Sequence, residues 1–448
     1  MKFAHDFREV LSSEDFPLHW VNSAIPYGKL KKVLKKVIRE LSDFGFKPET
    51  IRRLLDSTTD SPVALRYGLD TTENSRRLRP RLVVIVYRQN GVVASGSLSP
   101  SSYAFLEHLA LVQSQSCYQG GSSPGKDHDG DPPIPSANSP EWLHSCVEDM
   151  QEQIEVPLVS DTTFFEILQT DVSGLEVLQA QEEKSMRKEI VSLGQEVAHL
   201  TKPSRLSKND LARWRVIFEL YLEAQIFFST RERDRGSRSS HEAAQRLRWF
   251  QDEVAKRCVS SQFKMAKSRD ALLRFTKLNS VLLKNVRFQE LNRTAVRKIL
   301  KKFDKRTSLG VSKKFTQQFL SDSLLAGTMA KGICSQLSTQ LISVVPRLDD
   351  FLCPICFVIA YRPVRLACEH VFCIRCIVKM QRRRERYCPL CRADVVMTCS
   401  AECLDVDLER HMRKYFRREV KEKAQANDIE RGIEDYGPGY VHSSCRMM

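Results

Sequence analysis

Seven cysteines and one histidine fall between positions 353 and 391 as four close pairs: Cys353 with Cys356, Cys368 with His370, Cys373 with Cys376, and Cys388 with Cys391. Thiolates and an imidazole so spaced are the donor set of tetrahedral zinc, and four pairs complete two such sites with no ligand left over. In a stretch too short for a large apolar core, metal binding would supply the folding free energy. Disulfides are the competing use of these thiols. They fit poorly, because the N-terminus Met1-Lys2-Phe3-Ala4-His5-Asp6 is charged and lacks the apolar stretch of a secretory signal. The other seven cysteines, Cys117, Cys146, Cys258, Cys334, Cys399, Cys403 and Cys445, are scattered and read as free thiols of a reducing compartment.

The ligand order, with its histidine in fourth place, resembles the RING finger of the C3HC4 type. That resemblance implies interleaved sites: Cys353, Cys356, Cys373 and Cys376 on one zinc, Cys368, His370, Cys388 and Cys391 on the other. It also implies that the module recruits a ubiquitin-conjugating enzyme charged with ubiquitin and positions its thioester for attack by a substrate lysine, with no nucleophile of its own. The implied contacts are Ile355, between the first two cysteines, and Pro389, between the last two. Arg392, directly after Cys391, matches the cation that hydrogen-bonds both ubiquitin and conjugating enzyme. Met380 stands where many members carry tryptophan, and keeps an apolar, adaptable contact. A zinc module with a purely structural role is the bland alternative.

A second chemistry lies in the lysines. The net charge is +15, which points to an anionic partner. On a helix, Lys298, Lys301, Lys302 and Lys305 share one face, while Val296, Ile299, Leu300 and Phe303 fill the opposite one. An earlier segment repeats the idea: Tyr27, Lys31 and Lys35 are four apart, with Lys29, Lys32, Lys36 and Arg39 nearby and no acid before Glu40. Like charges at these spacings repel by a few tenths of a kcal/mol, roughly, per pair. A compact polyphosphate can bridge such faces, each charge-assisted hydrogen bond adding on the order of 1.5–3 kcal/mol. A lone lysine run is more often a solvated face.

Two such faces, with a tyrosine opening the first, resemble the SPX domain. The match rests on Met1-Lys2-Phe3, on Tyr27-Gly28-Lys29-Leu30-Lys31-Lys32, and on Lys298-Ile299-Leu300-Lys301-Lys302-Phe303-Asp304-Lys305. The resemblance implies an inositol polyphosphate or pyrophosphate held by Tyr27, Lys31, Lys301 and Lys305, with Lys298 and Lys302 beside them and Lys2 and Lys29 as further contacts. Joined to a RING, it implies a ubiquitin ligase of phosphate homeostasis acting on a nutrient transporter for phosphate or nitrate.

The elements that must position these residues are mainly α. Phe3, Phe7, Val10 and Leu11 form one apolar stripe, and Leu30, Val33, Leu34, Val37, Ile38 and Leu41 another, predicting an N-terminal helical hairpin. Between about 61 and 140 the pattern predicts an insertion: a strand pair, Arg81 to Tyr87 and Val92 to Ser95, around Asn90-Gly91, then a low-complexity loop. Helical periodicity resumes at Thr163, with Glu166 as a capping-box partner. It runs in three long stretches to about Asp304, the last beginning at His241 and too long to be unbroken. The expected plan is an SPX-like hairpin and long-helix bundle over 1–310, a helical linker over 311–347, and a small zinc-stabilised α+β RING module over 348–397 closed by a strand at Val395–Met397. A charged helix from Leu404 to Glu422 and a tail complete it, over 398–448. No apolar run is long enough to span a membrane. The expected setting is the cytoplasm, with the nucleus or a membrane surface left open. A basic nucleic-acid-associated RING protein and a non-enzymatic scaffold are the rival readings; the lysine faces lack the interleaved aromatics and motifs of a nucleic-acid binder, so none is expected.

Overall fold

The computed structural model describes residues 2–55, 63–72, 75–89, 92–93, 106, 150–203, 210–229, 236, 238–257, 262–319, 327–438 and 440. They form two compact units, Met1–Ser185 with Val281–Lys331, and Met186–Ser280 with Gly332–Met448. The low-complexity loop and the turn at Asn90-Gly91 lie outside the described residues.

The first unit opens with α1 (Lys2–Ser13), the short α2 (Leu18–Asn22), α3 (Tyr27–Asp43) and α4 (Pro48–Leu55). In α3 the residues Leu30, Leu34, Val37 and Leu41 recur at helical spacing and are all at most 2 % exposed. Burying each contributes roughly 1.5–3 kcal/mol. The predicted strand pair proves to be the smaller part of a larger sheet. Strand β2 (Ser75–Gln89) pairs antiparallel with β1 (Val63–Thr72) on one side and β4 (Met150–Val156) on the other, with only two residues of β3 (Val92–Val93) at its end. Tyr67 lies opposite Leu82 and Leu82 opposite Val156, so one face is apolar and enters the hydrophobic core.

Two helices are far longer than their neighbours: α5 (Val159–Thr201) and α8 (Ala266–Thr307). Thr163 does not cap α5. It lies inside the helix, its hydroxyl donating to the Val159 carbonyl at 3.1 Å. The cap comes from a residue distant in sequence, Glu40 of α3, whose carboxylate accepts from the amides of Val159 (2.7 Å) and Ser160 (2.9 Å). An acid at a helix N-terminus also opposes the macrodipole favourably. Helix α8 is tied to the hairpin by Asn292, whose side-chain oxygen accepts from the buried amide of Ile25 at 2.9 Å. Its end is fixed by Asp304, which accepts from Val311 (2.6 Å) and Ser312 (3.0 Å) and so caps α9 (Val311–Phe319). Phe164, Phe165, Phe303 and Phe315 close the core of this unit.

The second unit contains α6 (Leu211–Ala224), α7 (Ser240–Lys256) and the C-terminal part of α10 (Gly327–Gln340). The long pattern expected from His241 onward is broken, as its length required, between Lys256 and Ala266. A capping box does occur here, at Ser239 and Glu242 of α7. The zinc-type module follows, with β5 (Pro363–Arg365), β6 (Val371–Cys373) and α11 (Ile374–Arg382). Its two-stranded sheet is β5–β6; the strand expected at Val395–Met397 does not form. The single charged helix expected from Leu404 to Glu422 is two, α12 (Val406–Tyr415) and α13 (Arg417–Tyr436), and the second reaches well into the expected tail.

Candidate functional sites

The eight zinc-type ligands gather as two sets, Cys353, Cys356, Cys373, Cys376 and Cys368, His370, Cys388, Cys391, with the donor atoms of each set within 4.8 Å of one another. The Sγ of Cys373 lies 3.1 Å from that of Cys376 and 3.9 Å from that of Cys356. The Nδ1 of His370 lies 3.4 Å from Cys368 Sγ and 3.7 Å from Cys388 Sγ. Thiolates bound tetrahedrally at about 2.3 Å sit about 3.8 Å apart, so both sets fit one zinc each. The neighbouring Cys399 and Cys403 join neither set; burial and the Cys403 thiol push Cys399 up to about 12.

Two turns of the module are built alike. The Cys353 amide donates to Val358 O and the Phe357 amide to Cys353 O, both at 2.8 Å. The Cys388 amide donates to Ala393 O and the Arg392 amide to Cys388 O, again both at 2.8 Å. In each turn the fourth residue past the cysteine takes a left-handed backbone, Phe357 at φ 52° and Arg392 at φ 61°. Such a backbone is costly for residues other than glycine and persists only where its surroundings hold it. Both side chains are thereby turned outward, Phe357 being 77 % exposed.

Of the sequence-derived contacts, Ile355 is half-buried, Pro389 and Arg392 are exposed, and Met380 is buried in the module core. Exposed Phe357, Val358 and Leu390 extend the apolar surface. Sequence reasoning passed over them because an apolar residue beside a ligand cysteine carries no label for burial or exposure.

The C-terminal helices are part of this module rather than an appendage. Met412 and Phe416 belong to its core. Asp405 accepts from Arg365 Nε and Nη2 (3.0 and 2.6 Å) and from the Leu408 amide (2.9 Å), capping α12. On α13, Glu430 and Glu434 hold Arg375 at 2.5 and 2.6 Å and also take Lys379, and Glu434 reaches Arg382 at 3.4 Å. Arg382 is therefore not a free member of the Arg382-Arg383-Arg384 run.

The lysine face lies in the first unit. Tyr27 is buried, which raises its hydroxyl pKa, and its ring meets Phe3 edge-on at 5.0 Å. The Lys298 ammonium sits over the other partner, 3.9 Å from the Phe3 ring centre, in cation–π geometry. Phe3 thus links the two predicted segments. Half-buried Lys302 has its pKa lowered by burial first, then by the charges of Lys31, Arg306 and Lys35. Helices α3 and α8 therefore bring like charges together, and none of Lys31, Lys35, Lys301, Lys302 and Lys305 forms an ion pair among the described residues. Lys301 and Lys305 stand exposed on the same helix. Lys29 differs: its charge opposes the rise that burial imposes on Asp171, so it has an acid near it. The side chain of Lys2 lies outside the described residues. Lys35 and Arg306 were legible as the next i+4 positions after Lys31 and Lys302.

Residues 1–319 match the SPX domain family, and residues 353–391 match the C3HC4-type zinc finger, or RING finger. This chain belongs to the SPX-domain family. It carries a C-terminal RING finger in addition. It is 35% identical, over 96% of both chains, to an uncharacterised RING finger protein of Schizosaccharomyces pombe. It is 31% identical to "Transcriptional regulator of yeast form adherence 3" of Candida albicans, over 96% of this chain and 97% of that one. A stretch of 71 residues, 15% of this chain and 28% of the relative, is 44% identical to the human E3 ubiquitin-protein ligase RNF138. No solved structure matches the chain. No helix among the described residues is long and apolar enough to cross a membrane.

Proposed function

We propose that the protein is a RING-type E3 ubiquitin ligase whose SPX domain senses inositol polyphosphates or pyrophosphates, and that it acts in phosphate homeostasis on a nutrient transporter. The observation that carries the sensor half is the meeting of unneutralised cations from α3 and α8 around Lys302. Self-repulsion within that face is relieved by a polyanion, and Tyr27, Lys31, Lys301 and Lys305 supply the donors, with Lys298, Lys302 and Lys2 flanking. Lys29 ranks below them because Asp171 competes for it.

The ligase half is supported by the two ligand sets and by the similarity of the RING segment to ubiquitin ligases. Each turn would be held by its own zinc, the first tying Cys353 and Cys356 to Cys373 and Cys376, the second tying Cys388 and Cys391 to Cys368 and His370, and together the turns present Ile355, Phe357, Pro389 and Arg392. The apolar side chains would seat a conjugating enzyme. The Arg392 guanidinium would hydrogen-bond conjugating enzyme and ubiquitin together, restricting the thioester to a pose open to a lysine nucleophile. Met380 would act from beneath, supporting that surface by packing.

The test joins two measurements on the full-length protein. Lys301→Ala with Lys305→Ala should weaken the tightest calorimetric site for inositol hexakisphosphate by roughly a hundredfold or more, as expected for two lost charge-assisted hydrogen bonds. Ile355→Ala and Arg392→Ala should each abolish autoubiquitination with purified conjugating enzymes while leaving that binding intact. Unchanged affinity would remove the sensor reading, and unchanged autoubiquitination the ligase reading.

A further inference from the structure

The second unit contains a cleft of about 730 Å³ that the SPX and RING chemistry does not use. Arg413 and Lys414 from the end of α12 line it, with Arg417 and Lys421 from the start of α13 and the half-buried Tyr361 of the RING. None of the described residues that line it is acidic.

Apart from Glu409, the charged partners of these helices' acids lie largely outside the cleft. Glu422 pairs with Arg418 at 2.8 Å, Glu430 and Glu434 hold α11, and the charge of Glu419 acts on Arg215. Of the four cations only Arg413 has an ion partner among the described residues, Glu409 at 2.7 Å, and Lys414 merely lies 5.5 Å from the Tyr415 ring centre. Arg417 and Lys421 stand four apart on one face, which is repulsive. They also occupy the first turns of a 20-residue helix that has no side-chain cap, where the macrodipole disfavours cations. Glu419 is the acid of that first turn, yet neither Arg417 nor Lys421 forms an ion pair among the described residues; local rules broken together are expected where a ligand supplies the missing charge.

We propose that this cleft is a second anion site, distinct from the lysine face of the SPX domain, that takes a compact, multiply phosphorylated ligand. Cations from two helices and a phenol converge on a volume typical of small-molecule sites, which suits clustered phosphates rather than an extended acidic chain. A ligand free in solution and a lipid headgroup present the same phosphates.

The experiment titrates the zinc-loaded full-length chain with inositol hexakisphosphate by calorimetry. The intact protein is expected to bind two equivalents. Arg417→Ala with Lys421→Ala should remove one, and should remove the remaining one when added to Lys301→Ala with Lys305→Ala. Alanine at these exposed helical positions favours the helix, and circular dichroism checks that the fold is kept. Arg410→Ala with Arg418→Ala deletes the same charge from the same helices outside the cleft and should leave both equivalents. If the cleft variant keeps the wild-type stoichiometry, or the control loses as much, the proposal is overturned. If only the SPX variant is silent, the sensor reading fails and this one stands. In flotation with vesicles bearing a phosphoinositide, recovery of the wild type that the cleft variant lacks assigns the lipid source, and equal non-recovery of both assigns the soluble one.

Discussion

Tyr67 donates a buried hydrogen bond of 3.0 Å to Asp161, at the first turn of α5. Burial raises the Asp161 carboxyl to about 7, against the Tyr67 hydroxyl and the Thr162 amide, which both favour its charged form. The unfolded chain would titrate near 3.8, so between there and about 7 only the folded state holds this proton. Its contribution to stability is complete below the unfolded value and is lost as pH rises through the folded one. Asp161→Asn should therefore flatten the decline in urea midpoint between pH 4.5 and pH 7, roughly the window of the shift. An unaltered slope in that variant would assign the decline to other groups. The same residue-scale logic separates the site lysines: Lys302 is held among cations, whereas Lys29 has Asp171 near it.

Among elements, the contacts that matter are those a one-dimensional pattern does not show. Gly194 of α5 faces the end of α10, where an added Cβ would run into the Gln340 carbonyl. Two helix backbones approach closely there, and the glycine is what permits it. Gly194→Val should cost about 1–3 kcal/mol or more through overpacking. Chemical denaturation checks this, and Gly194→Ala should lie between valine and wild type. Helix α13 shows the complementary case. Its acids Glu430 and Glu434 clasp α11, while Arg417 and Lys421 on another face line the cleft, so one charged helix serves two surfaces. Arg215 is a third such contact. It donates to Pro346 O (2.9 Å) and Tyr415 O (3.0 Å) and stacks over Phe416 at 4.1 Å, locking α6 to the RING's own core residue.

At the scale of the whole chain, the two cores depend on different things. The first rests on aromatic packing of Phe164, Phe165, Phe303 and Phe315, and none of its members is a zinc-type ligand. The module core includes Cys353, Cys373, Cys376 and Cys388 together with Met412 and Phe416. A chelator should accordingly open residues 350–436 to proteolysis, α12 and α13 included, while binding of inositol hexakisphosphate to the lysine face persists. Simultaneous loss of both would show that the cores are coupled through folding. The sequence by itself determined the four ligand pairs, the helical hairpin and the two lysine faces, because each depends on residue type at short, periodic spacing; how the pairs interleave into two sets was implied by the resemblance and seen in the tertiary structure. The sequence also called for a break somewhere after His241, without placing it at Lys256. Only the tertiary structure decided that Glu40 caps α5, that Val63–Thr72 and Met150–Val156 flank the predicted strand, and that Met380 is buried while Phe357 is exposed. It alone brought Lys31 and Lys35 to Lys302, and Arg413 to Arg417 and Lys421 across one cleft. The physical reason is the same throughout. Local periodicity records which side of an element is apolar, whereas caps, strand partners and charge clusters are set by which distant elements pack against it.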